Sequence, residues 1–125
     1  MEKQIISTNN APAAIGPYSQ GVIVRDTVYT SGQLPINPQT GEIAETIEEQ
    51  TRQALENGKA IIEAAGSDMS KVFKTTVFLK DLKDFAKMNE VYATYFSEKH
   101  PARSTVGGAE LAKGALVEIE LVATI

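Results

Sequence analysis

Hydrophobic residues recur at helical spacing in two segments of the chain, and the first spans residues 46–65. There they fall three or four positions apart and form one stripe, while the opposite face is charged. Thr46 followed three positions later by Glu49 is a capping-box pattern, and Gly66 is a typical helix stop. We therefore predict a helix over residues 46–65, in which Gly58 on the apolar stripe lets another backbone approach closely.

The second helical pattern predicts a helix over residues 82–97, with Asp81 as its cap and Pro101 beyond its end. Its apolar stripe is rich in aromatic residues and consists of Phe85, Met88, Tyr92, Tyr95 and Phe96. A stripe of this kind is more often core than a ligand site, so it is predicted to pack in the core.

The remaining segments have the pattern of strands and turns. Two β-rich runs, residues 20–24 and 27–31, are separated by Arg25-Asp26 and predict a hairpin. Residues 35–41 are dense in turn formers and predict a surface loop, whereas residues 72–79 have the composition of a strand.

The end of the chain, residues 117–125, alternates between apolar and polar positions, as a strand with one buried face does. The apolar face carries Val117, Ile119, Leu121, Ala123 and Ile125. The other face carries Glu118, Glu120, Val122 and Thr124.

The order strands, helix, strand, helix, strands predicts an α+β layer in one domain, residues 1–125. Two helices cover only one face of such a sheet. The other face is then polar or buried by another subunit, which makes an oligomer a reasonable expectation.

Composition narrows the function. With 125 residues, 42% hydrophobic and 22% charged, the chain is an ordinary soluble domain. Its net charge of -4 has the wrong sign for a generic binder of nucleic acid or anionic membranes. The lack of Cys and the single His exclude disulfides, thiolate catalysis and multi-histidine metal sites. No apolar run approaches the ~20 residues of a membrane span and no signal peptide is visible, so a cytoplasmic location is expected.

Several familiar sites are poorly supported. No glycine-rich phosphate loop occurs, and Gly107-Gly108 alone is a weak phosphate cradle. A serine hydrolase triad would have to use His100, and no nucleophile-elbow motif accompanies it.

Two features remain as candidates. Glu118 and Glu120 share a strand face, about 6.6–6.8 Å apart; a solvated outer face is the plain interpretation, yet Val122 and Thr124 on that face suggest partial cover. Arg103 follows a proline turn, and its planar fork matches a carboxylate, although a surface ion pair is the commoner role.

Longer motifs identify a resemblance to the Rid family of reactive-intermediate deaminases, in its RidA/YjgF branch, also called the endoribonuclease L-PSP family. The resemblance spans essentially the whole chain. It rests on Ala-Pro-Ala-Ala-Ile-Gly-Pro-Tyr-Ser-Gln-Gly at 11–21, Thr-Ser-Gly-Gln-Leu-Pro-Ile-Asn-Pro-Gln-Thr-Gly-Glu at 30–42, Glu-Ala-Ala-Gly at 63–66, Lys-Thr-Thr-Val-Phe-Leu-Lys-Asp-Leu-Lys-Asp-Phe at 74–85, Pro-Ala-Arg-Ser-Thr-Val at 101–106 and Val-Glu-Ile-Glu at 117–120.

The resemblance implies a chorismate-mutase-like, YjgF-like α+β fold: a mixed sheet with two helices on one face, assembled as a homotrimer with ligand clefts at the subunit interfaces. It implies hydrolysis of 2-imino and 2-enamino acids, such as 2-iminobutanoate and 2-iminopropanoate, to 2-keto acids and ammonia. Such imines are released by pyridoxal-phosphate enzymes, which they also damage. The implied activity uses no metal or organic cofactor and no nucleic-acid or membrane partner.

Site residues follow from the same resemblance. Arg103 would bind the substrate carboxylate, with the backbone N–H of Thr105 as a further donor, and Glu118 would position or activate the attacking water. The resemblance places further substrate-binding residues at Tyr18, Ser31, Gly32 and Asn89, and leaves Glu120 a structural role.

The chain departs from many members near Arg103. It has Gly107-Gly108 where larger residues are usual, Glu110 in place of Arg, Ala112 in place of Pro, and Thr105 where several members have Cys. Two glycines in a strand would weaken it and leave space beside Arg103. A non-catalytic trimer that binds a small carboxylate, as a regulator or a holdase, is the alternative function. A chorismate-mutase-type isomerase is poorly supported, because the motifs single out only one cation.

Overall fold

The first helical stripe forms α1 (Ile47–Ala64) in the structure, a computed structural model that describes residues 1–125. The Oγ1 atom of Thr46 accepts a hydrogen bond from the backbone N–H of Glu49 at 3.2 Å, which confirms the predicted cap. Gly66 follows the helix with φ +86°, a conformation that favours glycine. The first helix therefore begins and ends where its local signals place it.

Gly58 lies on the buried stripe of α1, but its neighbour is not a backbone segment. A Cβ atom at this position would lie 2.7 Å from Cδ1 of Leu121. The predicted backbone approach was wrong: the missing side chain makes room for a leucine of the sheet.

The second helix is shorter than predicted. A 3-10 turn (Leu82–Asp84) leads into α2 (Phe85–Ala93), and the side chain of Asp81 accepts a hydrogen bond from the N–H of Lys83 at 2.9 Å. Asp81 is thus a cap, as predicted, although it caps the 3-10 turn.

The predicted continuation of the second helix to residue 97 was wrong. The Oγ1 atom of Thr94 donates to the carbonyl of Val91 at 2.6 Å, a local bond that competes with further helix. Beyond this turn Phe96 is buried, and its ring lies 4.7 Å from the ring of Tyr92. Burial of Phe96 therefore stabilises the turn that follows α2 and not a continuation of the helix.

Six strands form one mixed sheet in the order β1-β2-β3-β6-β4-β5. All neighbours are antiparallel except β4 and β5, which are parallel and are connected through α2. The strands are β1 (Lys3–Ile6), β2 (Gly21–Val24), β3 (Thr27–Thr30), β4 (Val72–Leu79), β5 (Ala102–Val106) and β6 (Val117–Thr124).

The predicted hairpin is confirmed as β2 and β3, each one residue shorter than expected, with Arg25 at φ 54° in the turn. The strand over residues 72–79 is confirmed as β4. β1 was not predicted, because its first three residues are exposed and only Ile6 is buried, so it lacks the alternation of a half-buried strand.

The helices cover one face of the sheet, as the α+β prediction requires. Val117, Ile119, Leu121 and Ala123 of β6 are at most 1% exposed and pack with the buried stripe of α1. Ile125, predicted for the same face, lies beyond the strand and is 47% exposed.

The other face of the sheet carries no helix; we call it the open face. Strand register places one apolar row across it, and this row consists of Ile5, Val22, Tyr29 and Val122. Ile5 is 55% exposed and Tyr29 is 45% exposed. Neither α1 nor α2 has the length and apolar character that crossing a membrane requires.

Replacing Gly58 by alanine tests the contact with Leu121. Alanine gains about 1 kcal/mol of helix propensity, but overpacking in a filled core costs about 1–3 kcal/mol. We expect Gly58→Ala to lower the free energy of unfolding in urea by about 1 kcal/mol. In a Leu121→Val background, which lacks the contacting Cδ1 atom, the same change becomes neutral or stabilising. Stabilisation by Gly58→Ala in the original background would contradict this account.

Candidate functional site

Arg103 lies on β5, on the sheet face that the helices cover. It pairs in register with Thr75 of β4, which is fully buried on that face. Nη1 of Arg103 donates a hydrogen bond to Oδ1 of Asn89 on α2 at 2.8 Å. The structure therefore brings together Arg103 and Asn89, two residues that the sequence placed in the site separately.

Two aromatic rings of α2 lie against the same guanidinium. Its Cζ atom is 4.8 Å from the ring centroid of Tyr92 and 5.5 Å from that of Phe85, within the range of cation–π attraction. Phe85, Asn89 and Tyr92 are spaced four and three residues apart, so they share one face of the helix. Both rings were predicted to pack in the core, and their contact with Arg103 was not predicted.

An open depression of about 450 Å³ adjoins this arginine. Its lining includes Asn89, Tyr92, His100 and Arg103. Thr105 is half-buried and pairs with buried Val77, so its side chain shares the face of Arg103. β5 is an edge strand, and alternate backbone N–H groups along it point away from the sheet. We call Arg103, Asn89 and Thr105 the arginine half-site.

A second cluster surrounds Glu118 on β6. After β3 the chain runs beside β6, where Gln33 and Ile119 exchange backbone hydrogen bonds of 2.8 and 3.1 Å. Gly32, the residue before this bonded pair, lies against the side chain of Glu118. A Cβ atom on Gly32 would lie 2.9 Å from Cδ of Glu118, so a side chain at residue 32 would displace the carboxylate.

Tyr18 and Ser31 lie beside this contact. The Oγ atom of Ser31 donates to the carbonyl of Ser19 at 2.6 Å, which fixes Ser31 against the segment that carries Tyr18. Tyr18 and Ser31 line one groove, and Tyr18 and Gly32 line the next. We call Glu118, Gly32, Ser31 and Tyr18 the glutamate half-site.

An apolar pocket of about 210 Å³, which was not predicted from the sequence, lies next to the glutamate half-site. Tyr18 and Gly32 contribute to it, and its aliphatic lining consists of Pro12, Ala13, Ile15, Leu34, Ile36 and Ala112. The motif at residues 11–21 was the available signal, but its apolar residues have no strand or helix periodicity that would mark them as a pocket wall.

The carboxyl group of Glu118 titrates abnormally. Burial raises its pKa above the ordinary value, and repulsion from the carboxylate of Glu120 raises it further. A carboxyl group with a raised pKa is a stronger base once ionised, which suits it to proton transfer. No three His, Asp or Glu side chains of the chain lie together in a way that could hold a metal ion.

The two half-sites lie on opposite faces of the sheet. Arg103 pairs with Thr75 of β4, whereas Glu118 pairs with Phe78, three positions along the same strand. Side chains alternate between faces along a strand, so Thr75 and Phe78 point in opposite directions. A small molecule that contacts Arg103 of one chain therefore cannot contact Glu118 of that chain.

The space predicted beside Arg103 at the glycine pair is absent. β5 ends at Val106, so Gly107 and Gly108 follow the strand rather than interrupt it. A Cβ atom on Gly107 would lie 2.7 Å from Cδ2 of Leu82, whose side chain fills the position, and Gly108 has φ +71°. The glycines thus accommodate Leu82 and a turn.

Comparison with known proteins identifies relatives over the whole chain. The profile of the family described as Endoribonuclease L-PSP matches residues 8–125. A RutC family protein of Pyrococcus horikoshii is 55% identical over 97% of each chain. The 2-iminobutanoate/2-iminopropanoate deaminase of Salmonella typhimurium is 54% identical over 94% of each chain. The crystal structure of Escherichia coli TdcF with bound serine superposes with a TM-score of 0.94, at 50% identity over 98% of each chain.

Replacing Glu120 by glutamine tests the charge repulsion at Glu118. Removing the neighbouring charge favours the ionised form, so we expect Glu120→Gln to lower the Glu118 pKa, as measured by carboxyl carbon NMR across a pH series. Glu110→Gln, which alters an exposed carboxylate of a different segment, should leave that pKa unchanged.

The sign of the accompanying stability change follows from linkage. A raised native pKa means that protonated Glu118 favours the folded state; this contribution is complete below the ordinary carboxyl pKa and is lost as pH rises through the raised value. Glu118→Gln should remove that pH dependence. A free energy of unfolding with an unchanged pH slope in Glu118→Gln would contradict the assignment.

Proposed function

The chain belongs to the Rid family, and from that premise we propose that it hydrolyses 2-imino and 2-enamino acids to 2-keto acids and ammonia. Substrates of the size of 2-iminobutanoate and 2-iminopropanoate fit the proposal. The observation that carries it is the pair of half-sites: an oriented guanidinium that can bind a carboxylate and a carboxyl group with a raised pKa. The deaminase activity named for the Salmonella relative supports this choice.

In the proposed reaction Arg103 binds the carboxylate of the substrate. One terminal nitrogen is held by Asn89, which leaves further N–H groups for a two-point contact with the carboxylate. The backbone N–H of Thr105, on the edge strand β5, is the proposed additional donor. These contacts orient C2, the carbon bonded to nitrogen, and so convert hydrolysis into an attack by one placed water.

Glu118 is the proposed base for that water. As the water oxygen bonds to C2 of the iminium, its proton passes to Glu118 and a carbinolamine forms. Glu118 then passes this proton to the amino nitrogen. As the C–N bond breaks and the C2 carbonyl forms, Glu118 accepts the proton of the carbinolamine hydroxyl; ammonia leaves, takes up that proton as ammonium, and the 2-keto acid is the co-product. Tyr18 and Ser31 form the wall of this cleft, and Gly32 leaves room for the Glu118 carboxylate.

The complete site requires a second copy of the chain. We propose a homotrimer in which the arginine half-site of each protomer faces the glutamate half-site of its neighbour, giving three equivalent clefts. The apolar row on the open face supports assembly, because Ile5 and Tyr29 would lose their exposure there. Residues 1–125 act as one domain in this proposal, and the enzyme works in the cytoplasm beside the pyridoxal-phosphate enzymes that release imines.

A coupled assay tests the activity. Threonine dehydratase and threonine generate 2-iminobutanoate, and semicarbazide traps the free imine. We expect the protein to accelerate formation of 2-ketobutanoate at the expense of trapped imine, and expect Arg103→Ala to lose at least about 100-fold because the carboxylate contact is charge-assisted. Glu110→Gln serves as the exposed control. A folded protein that acts on no amino-acid-derived imine would overturn the enzyme proposal and favour the alternative, a carboxylate-binding regulator or holdase.

Mixing two inactive variants tests the shared cleft. In trimers of Arg103→Ala and Glu118→Gln, refolded together at equal amounts, about a quarter of the clefts combine an intact Arg103 with an intact Glu118. We expect activity to return to about a quarter of the original value. Mixtures of Arg103→Ala with the double variant contain no intact cleft and should stay inactive. If the first mixture also stays inactive although mass spectrometry detects mixed trimers, the shared cleft is refuted.

A further inference from the structure

The rings of Tyr92 and Phe85 lie against the guanidinium of Arg103, and we call them the aromatic bed. Tyr92 is held by more contacts than binding of a carboxylate by Arg103 requires. Tyr92 is 6% exposed, and its ring lies 4.8 Å from Cζ of Arg103. Its hydroxyl forms a hydrogen bond of 2.7 Å with Oγ1 of Thr75, which is fully buried. Neither Tyr92 nor Thr75 has a role in the reaction proposed above.

Arg103, Thr75 and Tyr92 each contact the other two. Thr75 lies beside Arg103 in the register of β4 and β5, so the backbone sets the distance between them. The hydroxyl of Thr75 fixes the hydroxyl end of Tyr92, and the ring of Tyr92 then meets the guanidinium. Displacing Tyr92 therefore requires breaking a buried hydrogen bond.

Two independent contacts restrict the guanidinium. Its Cζ atom lies 4.8 Å from the ring centroid of Tyr92, and its Nη1 atom donates a hydrogen bond to Oδ1 of Asn89 at 2.8 Å. The ring contact and the hydrogen bond together hold the guanidinium at two points. Arginine otherwise loses considerable side-chain freedom when it binds a ligand, and a side chain that is already ordered loses less.

We infer that Tyr92 and Thr75 are positioning residues, which hold the guanidinium of Arg103 in the orientation that binds the substrate carboxylate. Tyr92 acts through its ring, and Thr75 acts through the hydroxyl of Tyr92. Phe85, 5.5 Å from Cζ and 39% exposed, completes the bed from its more open side. The inference deepens the proposed function and rests on it, because it specifies how the proposed carboxylate contact is prepared.

The test compares variants that keep or remove the ring. We expect Tyr92→Leu to bind 2-ketobutanoate, the proposed product, about tenfold more weakly in titration calorimetry. Tyr92→Phe keeps the ring and should lose about threefold or less. Thr75→Val combined with Tyr92→Phe should bind as Tyr92→Phe does, because both changes remove the same hydrogen bond and no buried hydroxyl is left unpaired.

Tyr95→Phe is the matched control. Its hydroxyl bonds to Glu56 at 2.6 Å, away from Arg103, so loss of this hydroxyl should leave binding unchanged. Phe85→Leu covers the case in which Tyr92→Leu fails to fold, since Phe85 is more exposed; it should weaken binding about threefold.

A second readout needs no ligand. A ring lying over a guanidinium shifts the Nε–H proton signal of arginine upfield in NMR spectra. We expect this shift for Arg103 in the ligand-free protein and in Tyr92→Phe, and expect it to diminish in Tyr92→Leu. An Arg103 signal that is unchanged in a folded Tyr92→Leu, or 2-ketobutanoate affinity within twofold of the original in that variant, would overturn the inference.

The two readouts separate this inference from the proposed function. A protein that binds no keto acid and hydrolyses no imine refutes the proposed function, while the Arg103 signal still reports whether Tyr92 orders the guanidinium. Conversely, imine hydrolysis that is lost in Arg103→Ala but unaffected in Tyr92→Leu supports the proposed function and refutes the positioning role.

Discussion

The alternation of side chains along β4, β5 and β6 is the constraint on which the site depends. Arg103 and Thr75 point toward the helices, whereas Glu118 and Phe78 point toward the open face. No loop movement within one chain can bring Arg103 and Glu118 together, because the sheet itself separates them. The same alternation gives Arg103 its helix neighbours and leaves Glu118 beside Gly32. A fold that holds both groups rigidly therefore also keeps them apart, which is why the proposed reaction requires a second copy of the chain.

The surroundings of the charged group differ between the two half-sites. The guanidinium of Arg103 lies beside two aromatic rings and the amide of Asn89, which together replace part of its hydration. Glu118 loses hydration by burial and faces the like charge of Glu120, so its charged form is disfavoured. A guanidinium suits binding of a carboxylate, and a carboxyl group of raised pKa suits proton exchange. Each environment thus matches the role proposed for its residue.

Much of the fold could be predicted from sequence where one local signal dominates. The cap at Thr46, the stop at Gly66 and the alternation of β6 correspond to the structure almost residue by residue. The errors have physical causes. β1 has one buried residue and so no period to detect, and the second helix ends early because Phe96 is buried after a turn. The partner of Gly107 is Leu82, about 25 residues away, which no local pattern encodes. Tertiary packing decided each of these cases.

The geometry of the candidate site also depends on tertiary structure that local sequence patterns do not encode. Residue types and the family resemblance placed Arg103 and Glu118 together in one list, but only strand register reveals that they belong to different faces. The aromatic stripe of α2 was interpreted as core, and Met88, Tyr92 and Phe96 are indeed buried. Tyr92 belongs to the core cluster, and its ring also lies 4.8 Å from Cζ of Arg103 on β5. The periodicity of a helix distinguishes buried positions from exposed ones, but it does not distinguish core residues from residues of a binding site. Where a charged side chain of an edge strand packs on a buried ring, as Arg103 does on Tyr92, one residue belongs to both the core and the site.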